Sequence, residues 1–381
     1  MRKIIIYACT SALILAALAV SALAATIYVK PDGSGDYPTI QAGINAAVTG
    51  DIVLLAAGTY TGAGNRDIDF MGKAITVTSE SGRDVTIIDC EGLGRGFLFQ
   101  NGETSASVLS GVTIRNGWVS EDVGGGGICC RSSSPAILNN IISGSTAAAG
   151  GCFPNCGLGG GIYCSESSPT ILSNTISGNL ASICGGGIFC DRYSSPAISN
   201  NTITGNTALI AWGGGIFCQE FSSLAISNNT ISGNTAEGGG GIHCGAYSSP
   251  AISNNTISGN SAEWYGGGIY CYSYCNPSIT NTIISFSSAG SGIYCEGGNP
   301  TLTSCDIYGN AGGDALCGTD GGGNISADPL FCDAGAGNFT LNCTSPCANN
   351  PGYGRIGAFG VGCGPTAVEN TTWGRVKSMF R

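Results

Sequence analysis

Charge is what this sequence lacks most. Only 10 % of its 381 residues are charged, and from 132 to 354 the sole Lys or Arg is Arg192, against eleven Asp and Glu. With a formal net charge of -10, the chain is a poor partner for nucleic acid or an anionic membrane, which call for clustered cations. Such a surface would also repel a polyuronate, whose lyases need a base and cations to neutralise its carboxylates. Histidine is nearly missing: His243 stands alone and cannot build a zinc site by itself. Leucine is scarce where a leucine-rich repeat would need it. Glycine triplets and β-branched residues interrupt every stretch long enough for a helix.

Repetition is what the chain has instead. "AISNNTISGN" occurs at 225–234 and at 251–260, with the near copy "AISNNTITGN" at 197–206. Motifs of the form G-G-G-I-x-C end at Cys130, Cys164, Cys190, Cys218, Cys244 and Cys271, and weaker copies end at Cys295 and Cys317. Their spacing drifts between 22 and 34 residues, as in a solenoid whose loops vary while its stacked segments do not. Within 221–244, "LAIS", "NTIS" and "GGGIHC" read as three short strands. Ile226 and Ile231 are five apart, so a straight strand would send them to opposite faces. A bend at Asn228–Asn229 puts both inside, because Asn tolerates the left-handed conformation. Ile242 and Cys244 share the inner face, leaving His243 outside. Three parallel strands per turn make a single all-β, parallel β-helix in which each residue sits over its copy one turn away.

Several columns follow from that register. Asn140, Asn174, Asn201, Asn229 and Asn255 are expected to form an amide ladder that stops where Thr282 and Cys305 replace them. The cysteines from Cys130 to Cys317 are expected to pack inward as buried thiols. Disulfides are expected among Cys152, Cys156 and Cys184, and among Cys332, Cys343, Cys347 and Cys363, with connectivity open; zinc held by Cys152, Cys156 and Cys184 is the alternative. Outside, Tyr163, Phe189, Phe217, His243, Tyr270 and Tyr294 form one expected aromatic column. Tyr193, Phe221, Tyr247 and Tyr274, in turns that carry one extra residue, form another. Both are expected to be exposed, suited to sugar rings or a protein surface, or to stack only upon themselves.

The ends differ from the array. Residues 1–24 combine Arg2 and Lys3, an apolar run and Ala22-x-Ala24, the pattern of a cleaved export signal; losing them takes Cys9 away and the charge from -10 to -12. Residues 25–124 read as an N-terminal cap and irregular first turns, 125–331 as the regular repeats, 332–364 as a closing segment and 365–381 as a linker with a basic-aromatic tail, a candidate sorting signal. Ile40, Ile44 and Val48, after Thr39 as N-cap and before Gly50 as stop, predict a short amphipathic capping helix.

"VKPDGSGDYPTIQAGINAA", then "GTY" and "KAITVTSESGRDVTIID", resembles the opening of pectin-methylesterase-like and related pectin-lyase-type right-handed β-helices. The pattern I-S-G-N-x-A followed by G-G-G-I is similar to repeats of chlamydial polymorphic outer membrane proteins. "NISADPLFCDAGAGNFTLNCTSPCANN" with "IGAFGVGC" resembles the closing segment of secreted bacterial right-handed β-helix repeat proteins. The resemblance implies a right-handed coil and an extracytoplasmic, secreted or cell-surface location. The sequences that carry activity in pectin methylesterases (Q-D-T-L-Y and V-D-F-I-F-G types), polygalacturonases (N-T-D, G-H-G, R-I-K) and pectate lyases (R-x-P-x-x-R) do not occur here. The chain therefore reads as a non-catalytic, monomeric binding protein, adhesin-like or carbohydrate-binding. No cofactor, metal, nucleic acid or membrane span is expected, and a polysaccharide or cell-surface protein is the expected partner. A polysaccharide-degrading enzyme using Glu237 and Glu263, equivalent acids on neighbouring turns, is the runner-up, and a structural spacer the third reading.

Overall fold

The computed structural model describes residues 24–120, 124–150, 157–350 and 354–364. The export signal, Cys152, Cys156 and the C-terminal tail lie outside the described residues. Short parallel strands wind into a coil of about ten turns whose three faces are sheets of twelve, ten and fourteen strands. Successive turns pair in register: Ile198 with Ile226 and Ile252 on the first face, Ile203 with Ile231 and Ile257 on the second. The third brings Cys190, Cys218, Cys244 and Cys271 into one column. These isoleucines and cysteines are wholly buried and fill the bore, so like packs on like at strand spacing.

The bends explain the repeated decapeptide. Asn200, Asn228 and Asn254 adopt φ of 54–55°, and the asparagine after each turns inward. Asn229 Oδ1 accepts from the backbone N and Nδ2 of Asn201, at 2.8 and 3.0 Å. Its own Nδ2 donates to Asn255 Oδ1 at 3.1 Å and to the Ile198 carbonyl at 2.8 Å. Both lone pairs and both protons are used, the condition under which a buried amide stabilises rather than costs. The ladder runs from Asn140 through Asn174, Asn201 and Asn229 to Asn255, which meets Thr282 Oγ1 at 3.4 Å. Thr282 ends the chain of amides, although Asn324 accepts from the backbone of Cys305 one turn further.

A second ladder, absent from the sequence reading, lies at the next bend. Gly178, Gly205, Gly233 and Gly259 have φ of 61–64°, and each precedes a buried asparagine: Asn179, Asn206, Asn234 and Asn260. These link Nδ2 to Oδ1 at 3.0 Å. The signal was the closing "GN" of the same decapeptide.

The third face departs from the expected pattern of one strand per face. Each regular turn places two pieces there, such as Thr235–Ala236 and Ile242–Cys244, on either side of the glycine tract; in the next turn they merge into one strand, Ser261–Tyr272. The tract must be glycine because backbones of adjacent turns close upon it: a Cβ on Gly215 would meet the Gly241 carbonyl at 2.5 Å.

At the N-terminal end the helix Ile40–Ala46 covers the bore with Ile40 and Ile44 buried, and Thr39 Oγ1 accepts from the Ala42 amide. It stops before the predicted Gly50. Asp51 Oδ2 takes the Val48 amide at 2.8 Å, the backbone turns extended at Ala47, and Val48 is left exposed. At the other end Phe331–Asp333, Asn338–Asn342 and Val361–Cys363 form a small separate sheet, tied by the disulfide Cys332–Cys363. Cys343 and Cys347 remain thiols.

Two cysteines leave the expected thiol column. Cys295 and Cys317 form a disulfide. Parallel in-register side chains point the same way and cannot bridge, but Cys317 lies in an irregular segment beyond the last strand of the third face, Ala289–Glu296, where that restriction lapses. Cys130, Cys164, Cys190, Cys218, Cys244 and Cys271 are free and buried. Burial pushes the thiols of Cys130, Cys190 and Cys271 well above the ordinary range, which makes them packing groups rather than nucleophiles.

Candidate functional site

The two aromatic columns part company. Tyr163, Phe189, Phe217, His243 and Tyr270 project away from the bore, yet all are buried; only Tyr294 is exposed. The expected exposure fails because the segments linking the two pieces of the third face fold back over the rings. Leu158, Ile183 and Cys184 pack on them, Trp212 lies 5.2 Å from His243 at 9°, and Tyr265 stacks on Tyr270 at 4.7 Å. Cys184, expected in a disulfide or a zinc site, is a free buried thiol in this layer. His243 has no partner for Nδ1, and burial lowers its pKa to about 3. It is a neutral ring filling a column position.

Tyr193, Phe221, Tyr247 and Tyr274 are 71, 51, 53 and 64 % exposed. Their centroids are 5.4, 5.2 and 5.2 Å apart and their planes within 11° of parallel. Those separations mean offset stacking, a shingled strip showing ring edges and part of each face. The backbone beneath is costly. Each ring residue has φ of 61–63° and the residue before it 47–53°, two consecutive left-handed residues where L side chains lose roughly 1–2 kcal/mol each. The same turn without the inserted aromatic needs only one such residue, Ser132 or Glu166. Each ring residue's amide is held by the next turn, as Tyr247 N is by the Ser273 carbonyl at 3.1 Å.

Beside the N-terminal end of this strip is a cavity of about 190 Å³, bounded by Tyr163, Phe189 and Phe217 within, Trp212 across, and Asp191, Arg192, Gln219 and Glu220 along the rim. Asp191 is 5 % exposed, and its Oδ1 has no hydrogen-bond partner. Burial raises its pKa to about 6, against the opposing pull of the Ser165 hydroxyl and the Arg192 guanidinium. Arg192 sits 3.9 Å from Asp191 and 3.8 Å from Glu220; being 61 % exposed, it binds neither strongly. Glu237 and Glu263 line a different groove, of about 410 Å³, with Thr207, Leu209 and Ser261. Among the described residues no group of three or more His, Cys, Asp or Glu is arranged to hold a metal ion.

The chain belongs to the right-handed β-helix family: the model of the right handed beta helix region matches residues 73–257 and, overlapping, 212–328. Among solved structures it is similar to pectate lyase Pel9A, with a TM-score of 0.64 and 13 % identity over 90 % of this chain and 97 % of that one. Pectin methylesterase from carrot superposes at a TM-score of 0.43 and 13 % identity, over 81 % of this chain and 89 % of that one. At such identity the likeness is one of fold, which does not carry activity. No curated protein matches the sequence.

Proposed function

We propose that this protein is an extracytoplasmic, non-catalytic β-helix that binds neutral glycan chains along the strip Tyr193–Phe221–Tyr247–Tyr274. The observation that carries the reading is the strip itself. Four bulky rings occupy positive-φ positions, where Gly or Asn would cost less, and all four face solvent. Strain held in successive turns is a reason to look for function there. Rings spaced along successive turns match an extended chain of sugar rings, and the acidic surface disfavours polyuronates. Affinity electrophoresis of the mature chain in gels containing neutral polysaccharides tests it. Retardation should occur with at least one and be lost when the four residues are changed to Ala together. Equal retardation of the variant, or none for the wild type, would overturn it.

Glu237 and Glu263 support a second reading, a polysaccharide hydrolase, because they line one groove on successive turns. Release of reducing sugar that disappears in both Glu237→Gln and Glu263→Gln would favour it over binding alone.

A further inference from the structure

We infer that the cavity under Trp212 is a subsite for one neutral, hydroxyl-bearing sugar ring, anchoring the end of a chain whose remainder runs along the strip. This rests on the glycan-binding reading and adds to it a site, a ligand class and a direction.

Size comes first. A cavity of about 190 Å³ is smaller than pockets for drug-sized ligands, about 300–1,000 Å³, and suits a single ring. Position agrees: Arg192 and Glu220 on its rim immediately precede Tyr193 and Phe221 in the chain, so the cavity opens one residue away from the first two rings of the strip.

Polarity selects the occupant. Asp191 brings a buried carboxylate oxygen for which the fold supplies no donor, and an unmet buried acceptor is costly. Asp191 lines the cavity while Oδ1 itself is closed off from it, so a turn of the carboxylate toward the cavity would let a sugar hydroxyl meet that need. Glu220 and Gln219 add acceptors and donors at the rim, and Arg192 is the sole Lys or Arg between 132 and 354.

An organic cation would also satisfy a carboxylate, but the walls disfavour it. Cation binding by aromatics uses ring faces, and both faces of Phe189 and Phe217 are taken. Phe189 is stacked between Tyr163 at 5.5 Å and Phe217 at 5.0 Å, and Phe217 between Phe189 and His243 at 4.7 Å. What these two rings turn sideways is their edges, which carry the positive end of the quadrupole. An acidic sugar is disfavoured by Asp191 and Glu220 together. A neutral polyol with an apolar flank remains.

The test uses the mature full-length chain. Probes are methyl β-glucopyranoside, methyl β-galactopyranoside and methyl α-mannopyranoside, with choline and galacturonate as charged controls and cellohexaose and mannohexaose as chains. Binding is read by saturation-transfer NMR and by tryptophan fluorescence, because Trp212 walls the cavity. At least one neutral methyl glycoside should bind. Asp191→Asn, which keeps the shape, should weaken it about tenfold, the loss expected for a hydrogen bond to a charged acceptor. Trp212→Phe should abolish the fluorescence change while NMR still reports binding, and Tyr274→Ala, at the far end, should weaken a hexaose but leave the monosaccharide unaffected.

If a hexaose binds through the strip but no methyl glycoside binds, or Asp191→Asn changes nothing, the subsite is overturned and the strip stands. Preference for choline or galacturonate overturns the ligand class. Failure of every sugar overturns both readings.

Discussion

Trp212 lies flat on His243, ring centroids 5.2 Å apart and planes 9° from parallel, Phe217 stacks on it at 4.7 Å, and Tyr270 meets it edge-on at 4.8 Å. The imidazole is thereby sealed among aromatic rings, and its pKa is lowered to about 3 by burial. An unfolded chain takes up this proton near pH 6.5, whereas the folded one refuses it until about pH 3. Stability is therefore unaffected by His243 above pH 6.5 and falls as pH drops below it, by up to about 1.4 kcal/mol per unit. His243→Phe should remove that component, so urea unfolding at pH 7 and pH 4.5 should show a smaller acid loss in the variant.

Asp306 acts with the opposite sign. It is wholly buried, receives the Cys347 thiol at 3.0 Å and the Ala327 amide at 3.0 Å, and is raised to about pH 6 chiefly by burial. The folded state holds this proton more tightly than the unfolded one, so stability declines as pH rises from about 3.8 to 6 and then levels off. Asp306→Asn should be more stable than wild type at pH 7, by on the order of 1–3 kcal/mol, with the gain shrinking toward pH 4. Denaturation midpoints at the two pH values check this.

The asparagine ladder should fail unevenly. Asn229→Ala leaves the Asn201 backbone amide without its acceptor and takes one partner each from the Asn201 side chain, the Ile198 carbonyl and Asn255 Oδ1, which keeps the Asn229 amide, at about 1–3 kcal/mol for a buried polar group left unmet. A total loss of roughly 3–5 kcal/mol is expected. Thr282→Ala, which gives up a long bond from the Asn255 amide and a 2.9 Å bond to the Thr280 carbonyl, should cost less, about 1–2 kcal/mol. Equilibrium unfolding of the two variants compares them.

Tyr247→Gly separates a binding strip from a structural spacer. Glycine relieves the left-handed backbone by roughly 1–2 kcal/mol, while two stacking contacts worth about 0.5–1.5 kcal/mol each are lost. Stability should therefore change by no more than about 2 kcal/mol, and neutral-glycan retardation should drop. A large loss of stability with retardation intact would favour the spacer.

The coil and its inner columns were legible because one residue pattern, recurring at one length, admits one register. Ile226 and Ile231 five apart forced a bend, and Asn228 named its place. The second ladder could have been read from the same ten residues, but "GN" looks like an ordinary turn until both bends are seen to follow one rule. Val48 shows the limit of periodicity: spacing continued the helix, while the Asp51 side chain ended it. The Cys295–Cys317 bridge was illegible because it depends on where register lapses.

By itself, the sequence determined the winding, the inward isoleucines and cysteines, and the hydrogen-bonded asparagines, since stacking identical residues at strand spacing is a local rule repeated. Only the tertiary structure decided which aromatic column meets solvent. Whether a ring that leaves the bore stays exposed depends on where a neighbouring loop folds, as Trp212 does over His243. Spacing along the chain carries no record of that cover, and the same packing enclosed Asp191 beside the strip.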